Sequence, residues 1–332
     1  LLGLALLCAT LALMLYPQPS MEAAKSGLAL CYNVIIPSLF PFFVLSSLVV
    51  ELGLSRCLGR LLHPIMAPLF RVGGACSSAL ALGFVGGYPV GARTAIALYE
   101  NGQCSKTEAE RLLAFCNNSG PAFILGVVGT GIFASSRAGL LLYLAHIAAS
   151  LCVGLLFRFY RPGEGPRPGR HAAPQFQAAS FPVAFTHSIT GALSSTLNIC
   201  AFVLFFTVVI RMLFLSGVMG ALAGGAAALL SPLGLDQAWA QRLITGLLEL
   251  SSGVSSLTGA GTVTGRLSMA AFMLGWAGLS VHCQVLAFLG DSGLSLRTYL
   301  VGKALHGGLS AVLISLLLRL FPLDCPASVY LV

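Results

Sequence analysis

Residues 83–93 read GFVGGYPVGAR, and residues 246–254 read GLLELSSGV. Both are apolar runs interrupted in the middle. In the first, a Gly pair followed by Tyr88-Pro89 is a strong helix breaker. Its flanks, SSALALGFV (77–85) and VGARTAIALY (90–99), are each about half a bilayer long at ~1.5 Å per residue. That length predicts a re-entrant hairpin or discontinuous span. Outward from these two stretches, residues 27–160 and 187–320 pass through the same order of events: a long apolar span, a shorter Gly/Pro-bearing segment, the broken segment, then further apolar spans. Asn33 in CYNVIIPSLFPFF answers to Asn198 in TLNICAFVLFF (198 − 33 = 165), and Gly83 answers to Gly246 (246 − 83 = 163). Side-chain identity between the halves is weak, so the shared order of interruptions carries the argument. Paired repeats with matched breaks point to a transporter, because a broken helix turns polar backbone towards a site inside the bilayer. The expected fold is all-α and polytopic, with two inverted five-element repeats containing broken or re-entrant helices. An N-terminal transmembrane segment (1–26), a basic linker (161–186) and a C-terminal tail (321–332) complete the expected organisation.

Composition agrees with this class. The chain is 57% hydrophobic and 8% charged, against about 25% charged in a soluble domain. Several runs reach or approach the ~20 apolar residues that cross a bilayer. The run 1–16 lacks a basic start and a cleavage site, and reads as a membrane helix clipped at its beginning rather than as a signal peptide. The net charge of +8 does not imply nucleic acid. Its densest cluster, Arg158, Arg161, Arg167 and Arg170 with Glu164, lies in a Pro/Gly-rich stretch with no aromatic stacking platform. Such a short basic loop is expected on the cytoplasmic side. The ten cysteines form no Cys-x-x-Cys pair, and most lie in apolar runs, so neither zinc nor a disulfide framework is expected.

Along the first half, Pro37 and Pro41 predict a kink or break in residues 28–50. Arg56, Arg60 and His63 at i, i+4, i+7 predict an interfacial helix over 52–72. Ser105 with Glu108 makes a capping-box start for a helix reaching Cys116, where Asn117-Asn118-Ser119-Gly120-Pro121 interrupts it. Residues 137–160 supply one clean span. The second half offers spans at 196–215, 217–235, 240–258, 268–290 and 298–320, with breaks at Glu249-Leu-Ser-Ser-Gly253 and Gly275–His282.

An ionisable group inside an apolar run is a functional candidate, because placing it there costs several kcal/mol unless it is paired or wet. Arg93, Glu249 and His282 meet that description; each also has a structural alternative, Arg93 with Glu249 as an ion pair and His282 as an interhelical hydrogen-bonding residue. Asn117, Asn118, Ser119, Ser251, Ser252, Ser280 and Gln284 sit where backbone is freed. With Gly87, Tyr88 and Pro89 of the first break and exposed half-helix N-termini, they can hold an anion or a polar ring. No nucleophile elbow, zincin motif or Walker loop occurs, which argues against an enzyme and against a cofactor or metal.

GFVGGYPVGAR (83–93), FCNNSGPAFILGVVG (115–129), GLLELSSG (246–253) and GWAGLSVHCQV (275–285) together resemble the sporulation integral membrane protein family of the YlbJ (SpoVV) type. That family belongs to the wider group carrying the nucleoside-recognition gate domain, found also in concentrative nucleoside transporters and ferrous-iron transporters. The resemblance covers about residues 27–320. It implies endospore formation, location in the mother-cell-derived membrane around the forespore or in the cell membrane, and movement of dipicolinic acid towards the forespore. Dipicolinate is a small, flat pyridine dianion. Arg93 for one carboxylate, half-helix N-termini for the other and Asn, Ser and His groups around the ring would suit it. Two other readings stay open: a carrier of nucleosides or other small solutes, which would need Asn, Gln and Glu more than Arg, and a non-transporting scaffold of a spore-assembly complex. A polar cavity at mid-membrane lined by both halves favours transport, and a dry packed interface favours the scaffold. Partners beyond the bilayer and the solute are undetermined, and a homo-oligomer stays open.

Overall fold

A helix that ends inside a bilayer must find partners for its freed backbone within the protein, and this chain ends several helices there. The computed structural model describes residues 2–52, 61–161, 180–290 and 292–323. Helices α1 (Leu2–Leu15), α2 (Pro17–Leu30) and α3 (Ile36–Glu51) come first, then α4 (Leu61–Phe70). Helices α5 (Ser77–Gly86) and α6 (Val90–Glu100) form a hairpin, followed by α7 (Lys106–Phe115), a wide π-type helix Ala122–Ile132 and α8 (Ser136–Phe157). The second half runs α9 (Phe181–Leu215), α10 (Val218–Leu230), a hairpin of α11 (Gln237–Leu248) and α12 (Leu250–Ser255), then α13 (Val263–Trp276), α14 (Leu279–Leu289) and α15 (Leu296–Leu320). No strand occurs among the described residues. Among the described residues, five helical stretches are long and apolar enough to cross a membrane, or six if the bent pair Leu61–Phe70 and Gly74–Gly86 counts as one.

Two departures from the sequence expectations have local causes. Pro37 and Pro41 do not break the helix: Pro17–Leu45 remains one span. The distortion is taken up as a π-turn over Cys31–Ile35, where the Ile36 amide bonds back to the Cys31 carbonyl just ahead of Pro37. The second long span starts at Phe181, well before 196, since Pro182 sits in its first turn, where proline costs no hydrogen bond. Helix α4 meets the following helical segment at 114°; His63 is exposed on it, whereas Arg56 and Arg60 of the expected interfacial helix lie outside the described residues. The linker stretch 162–179, with Glu164, Arg167 and Arg170, and the tail 324–332 also lie outside them.

Contacts fix the directions of the long helices. Ser20 reaches Met212, Gly27 lies against Leu204 and Thr207, and the Cys31 thiol meets the Cys200 carbonyl, so α2–α3 and α9 run antiparallel. Helices α8 and α15 do the same: their midpoints meet where His306 bonds to the His146 carbonyl, and Tyr160 and Ser295 share Glu110 at one end. Gly302 packs on Ala114 of α7, while Gly275 of α13 packs on Gly307. Two half-helices, α7 and α13, therefore run in opposite directions along α15 and end near its middle. Small residues at these crossings allow backbone contact.

The N-terminal end of α7 is tied down by its charges. The predicted capping box forms, with Ser105 Oγ accepting from the Glu108 amide and Glu108 from Ser105. Glu108 also accepts from the Gly73 amide at 2.6 Å. Glu110 accepts from the Tyr160 hydroxyl and the Ser295 amide, and Arg111 donates to the carbonyls of Arg71, Tyr160 and Arg161. Three buried charges thereby join the lead-in to the first hairpin, the end of α8 and the start of α15.

A Cβ on Gly83 or Gly91 would collide with the Cys116 carbonyl at the end of α7, whereas one on Gly220 would meet open space. Gly83→Ala is expected to lose most monodisperse protein in detergent size-exclusion chromatography, because overpacking costs about 1–3 kcal/mol. Gly220→Ala is expected to keep or raise the thermal midpoint.

Candidate functional site

Each half ends a helix inside the fold and meets the break with a hairpin tip. In the first half α7 stops at Phe115, Asn117–Gly120 is non-helical, and Gly87 at the tip of α5–α6 lies against Gly120. In the second half α13 stops at Trp276, Ala277 and Gly278 turn the chain with positive φ (87° and 83°), and Gly278 lies against Glu249 and Leu250 at the tip of α11–α12. Gly87, at φ 72°, takes a backbone conformation that favours glycine, and a Cβ there would press on Gly120.

The two tips and two breaks converge on a cavity of about 60 Å³. Gly87, Tyr88, Ser119, Glu249, Ser251, Ser280 and Gln284 line it, together with Leu39, Phe43, Ile199, Phe202 and Val203 from α3 and α9. A second space of about 440 Å³ lies beside it, walled by Arg93, Pro89, Ser194, Ser195 and Asn198. Tyr88, Phe43, Ile199 and Gln284 belong to both walls. The first space has room for a few waters and no more, and the second acts as its vestibule.

The sequence candidates divide into groups. Gly87, Tyr88, Ser119, Glu249, Ser251, Ser280 and Gln284 face the cavity, and Pro89 and Arg93 face the vestibule. Asn117, Asn118, Ser252 and His282 lie behind the wall. Asn117 accepts from the Ala92 amide and donates to the Tyr299 hydroxyl, each at 3.4 Å. Asn118 donates to the Phe115 carbonyl. Ser252 pairs with Thr207, and His282 shares a 3.0 Å hydrogen bond with Tyr299 and packs edge-on against Trp276. Seven of the thirteen thus reach the inner cavity and two the vestibule, while four support them from behind.

Arg93 and Glu249 do not form an ion pair. Arg93 is exposed and lies over the Phe288 ring at 5.6 Å. Glu249 is 2% exposed and caps its own hairpin, its two oxygens accepting from the amides of Ser251 (3.0 Å) and Ser252 (2.6 Å). The carboxylate is neutralised locally by a helix start. No side chain caps α6 or α14; Val90, the first residue of α6, and Ser280, the second of α14, face these spaces.

The sequence reading missed a fully buried cation at the centre of the fold. Lys303, in the middle of α15, is 1% exposed. Its ammonium donates to the Tyr88 hydroxyl and the Asn117 carbonyl, both at 2.9 Å, and approaches His306 Nδ1 at 3.4 Å. It also lies 4.8 Å from the centre of the Tyr88 ring. The Tyr88 hydroxyl donates onward to the Leu274 carbonyl at 2.7 Å. His306 donates to the His146 carbonyl, their rings 4.3 Å apart, and His146 Nε2 accepts from the Ser119 amide. With Nδ1 of His306 accepting from Lys303, its Nε2 carries the proton, so the assignment is consistent with a neutral ring. Ser119 Oγ has no hydrogen-bond partner among the described residues. The rule that picked out Arg93 would have found Lys303 too: both are basic residues in apolar runs.

A model of the Gate family, described as nucleoside recognition, matches residues 33–161. The sporulation integral membrane protein YlbJ of Bacillus subtilis (strain 168) is 33% identical, over 91% of this chain and 78% of that protein. The fold is similar to that of CNTnw. An intermediate-state structure of a CNTnw variant superposes with a TM-score of 0.64 over 96% of this chain and 84% of that one, and an outward-facing variant with 0.61 over 86% and 76%, each at 17% identity.

The separate roles of Arg93 and Glu249 predict additivity. Glu249→Ala is expected to lower stability by about 1–2 kcal/mol through loss of the cap, and Arg93→Ala to change it little. In a double-mutant cycle read by thermal unfolding in detergent, the coupling should stay within about 0.5 kcal/mol; a larger coupling would restore the ion pair.

Proposed function

The chain belongs to the family of the sporulation integral membrane protein YlbJ, and from that premise we propose that it is a membrane carrier for a small anionic solute, foremost dipicolinic acid moved towards the forespore. One observation carries the reading. Two hairpin tips and two broken helices, one of each from either half, meet around a cavity with a cationic vestibule. A scaffold has no use for backbone freed at that depth, where each break costs hydrogen bonds that must be recovered. On this reading residues 27–160 and 187–320 are inverted repeats, the antiparallel pairs α3/α9 and α8/α15 being their corresponding helices.

The charge balance favours an anion. Arg93 and Lys303 bring two positive charges to the site, and the one carboxylate, Glu249, is already engaged by two amides of its own helix. Arg93 offers a planar fork to a carboxylate arriving in the vestibule. Ser280, at the uncapped start of α14, offers a backbone donor further in. Tyr88 and Ser119 would meet the ring. The cavity is too small for the solute as it stands, so entry requires the hairpin tips to part. The Gate match favours a second reading, a nucleoside carrier, in which Glu249, Ser251 and Gln284 would contact a neutral ligand.

Uptake by purified protein in vesicles separates the two. Dipicolinate is expected to accumulate and to outcompete nucleosides. Arg93→Ala should abolish that uptake with folded protein retained, and Arg93→Lys should rescue it only in part, because an ammonium cannot meet a carboxylate in two places. Nucleoside uptake without dipicolinate uptake would overturn the anion, and an unaffected Arg93→Ala protein would remove Arg93 from the site.

A further inference from the structure

Half-helix C-termini inside a membrane attract cations, because their last carbonyls are unpaired and carry the negative end of the helix dipole. Here two such ends face each other across the middle of α15. From α7 the Asn117 carbonyl, just past the helix end, points at the gap; from α13 the Leu274 carbonyl, in its last turn, does so through Tyr88. The group that fills the gap is the Lys303 ammonium. Its three protons have three acceptors, Tyr88 Oη, Asn117 O and His306 Nδ1, which is the full donor capacity of a lysine. All three acceptors are neutral, and no salt bridge to Lys303 is recorded among the described residues. A buried ammonium without an acid is costly, so the position calls for a function that uses a cation able to lose its charge.

We infer that Lys303 is the coupling group of the carrier: its ammonium stands in the place of a free coupling cation, and the solute moves together with a proton carried on Nζ. This rests on the carrier reading above. In the step itself one Nζ–H bond breaks, the electron pair stays on nitrogen, and the proton passes to water in the opened vestibule. Reprotonation from the other side restores the ammonium. Tyr88 links the two events, since its ring and hydroxyl hold Lys303 while the same residue walls both the cavity and the vestibule. Parting the first hairpin to admit or release solute withdraws Tyr88 from Lys303 and exposes the amine to water. The titratable groups facing Lys303 are Tyr88 on the first hairpin, Cys116 at the end of α7, His146 on α8, His282 on α14, and Tyr299 and His306 on α15. No carboxylate is among them. Lys303 is held without a partner ion, by the Asn117 carbonyl directly and by the Leu274 carbonyl through Tyr88.

The test uses the whole chain in vesicles with a pH-sensitive dye in the lumen and labelled dipicolinate outside. Wild-type protein is expected to acidify the lumen as solute enters. Accumulation should grow by about tenfold per pH unit of inward gradient if one proton accompanies each solute, and replacing sodium with choline should change nothing. Lys303→Arg keeps the charge but cannot release it, so it should retain solute exchange between the two sides and lose gradient-driven accumulation. If that variant does not fold, the wild-type dye and sodium measurements decide alone. Uptake that depends on sodium, or that moves no protons, would overturn the inference and leave the carrier standing. Absence of uptake of any solute under any gradient would overturn both.

Discussion

Backbone freed inside a bilayer has no water to turn to, and the structure is organised around that constraint. Four helices stop within the fold or at its centre, and each stop is answered by another stop. Gly87 presses on Gly120, and Gly278 presses on Leu250 and Glu249. Gly83 and Gly91 bring the first hairpin onto the Cys116 carbonyl, while Gly246 and Gly253 close the second hairpin on itself. The contacts are between backbones, so a side chain at any of these glycines would separate elements that supply one another's hydrogen-bonding environment. Packing and polar satisfaction are the same problem here, and glycine solves both.

This explains which parts of the molecule can be read from sequence. A break is a local event: Gly86-Gly87-Tyr88-Pro89, Asn117–Pro121 and Ser251-Ser252-Gly253 announce themselves by composition, and Ser105 with Glu108 announces a helix start. Those stretches became the cavity wall and the capping box. What fills a break is a distant event. Asn117 meets Lys303 across 186 residues of chain, and no local pattern ties them. An ion pair between Arg93 and Glu249 is the structural alternative the sequence offers for both, yet Glu249 finds its donors two and three residues away. Pro37 misled for the opposite reason: its local effect is real, but a π-turn one step earlier absorbs it without ending the helix.

The acids and bases outside the cavity sort by what they are asked to hold. Glu108, Glu110 and Arg111 sit on one short helix and bind loops: the lead-in to the first hairpin, the end of α8 and the start of α15. Most of their partners are backbone groups at helix ends, so the network fixes the frame in which α8 and α15 cross. That frame sets the position of His146 against His306, and through them of Ser119 at the cavity wall. Anchoring at one end and the site at the middle are connected by rigid helix, which lets a short charged segment position groups far from itself.

Arg111 and Lys303 show how two buried bases with similar surroundings differ in use. Each donates chiefly to oxygens that carry no formal charge: three carbonyls for Arg111, a carbonyl and a hydroxyl for Lys303. Arg111 presents a planar fork that stays charged under all ordinary conditions, and it stands beside Glu110 on a helix whose neighbours are loop carbonyls. That combination makes a permanent clamp. Lys303 presents a compact ammonium that burial can discharge, and it stands between two helix ends at the tip of a hairpin. An arginine there would hold the carbonyls as well and never let go. Lysine at the centre and arginine at the edge suit the proposed carrier, fixed at one end and changing state in the middle.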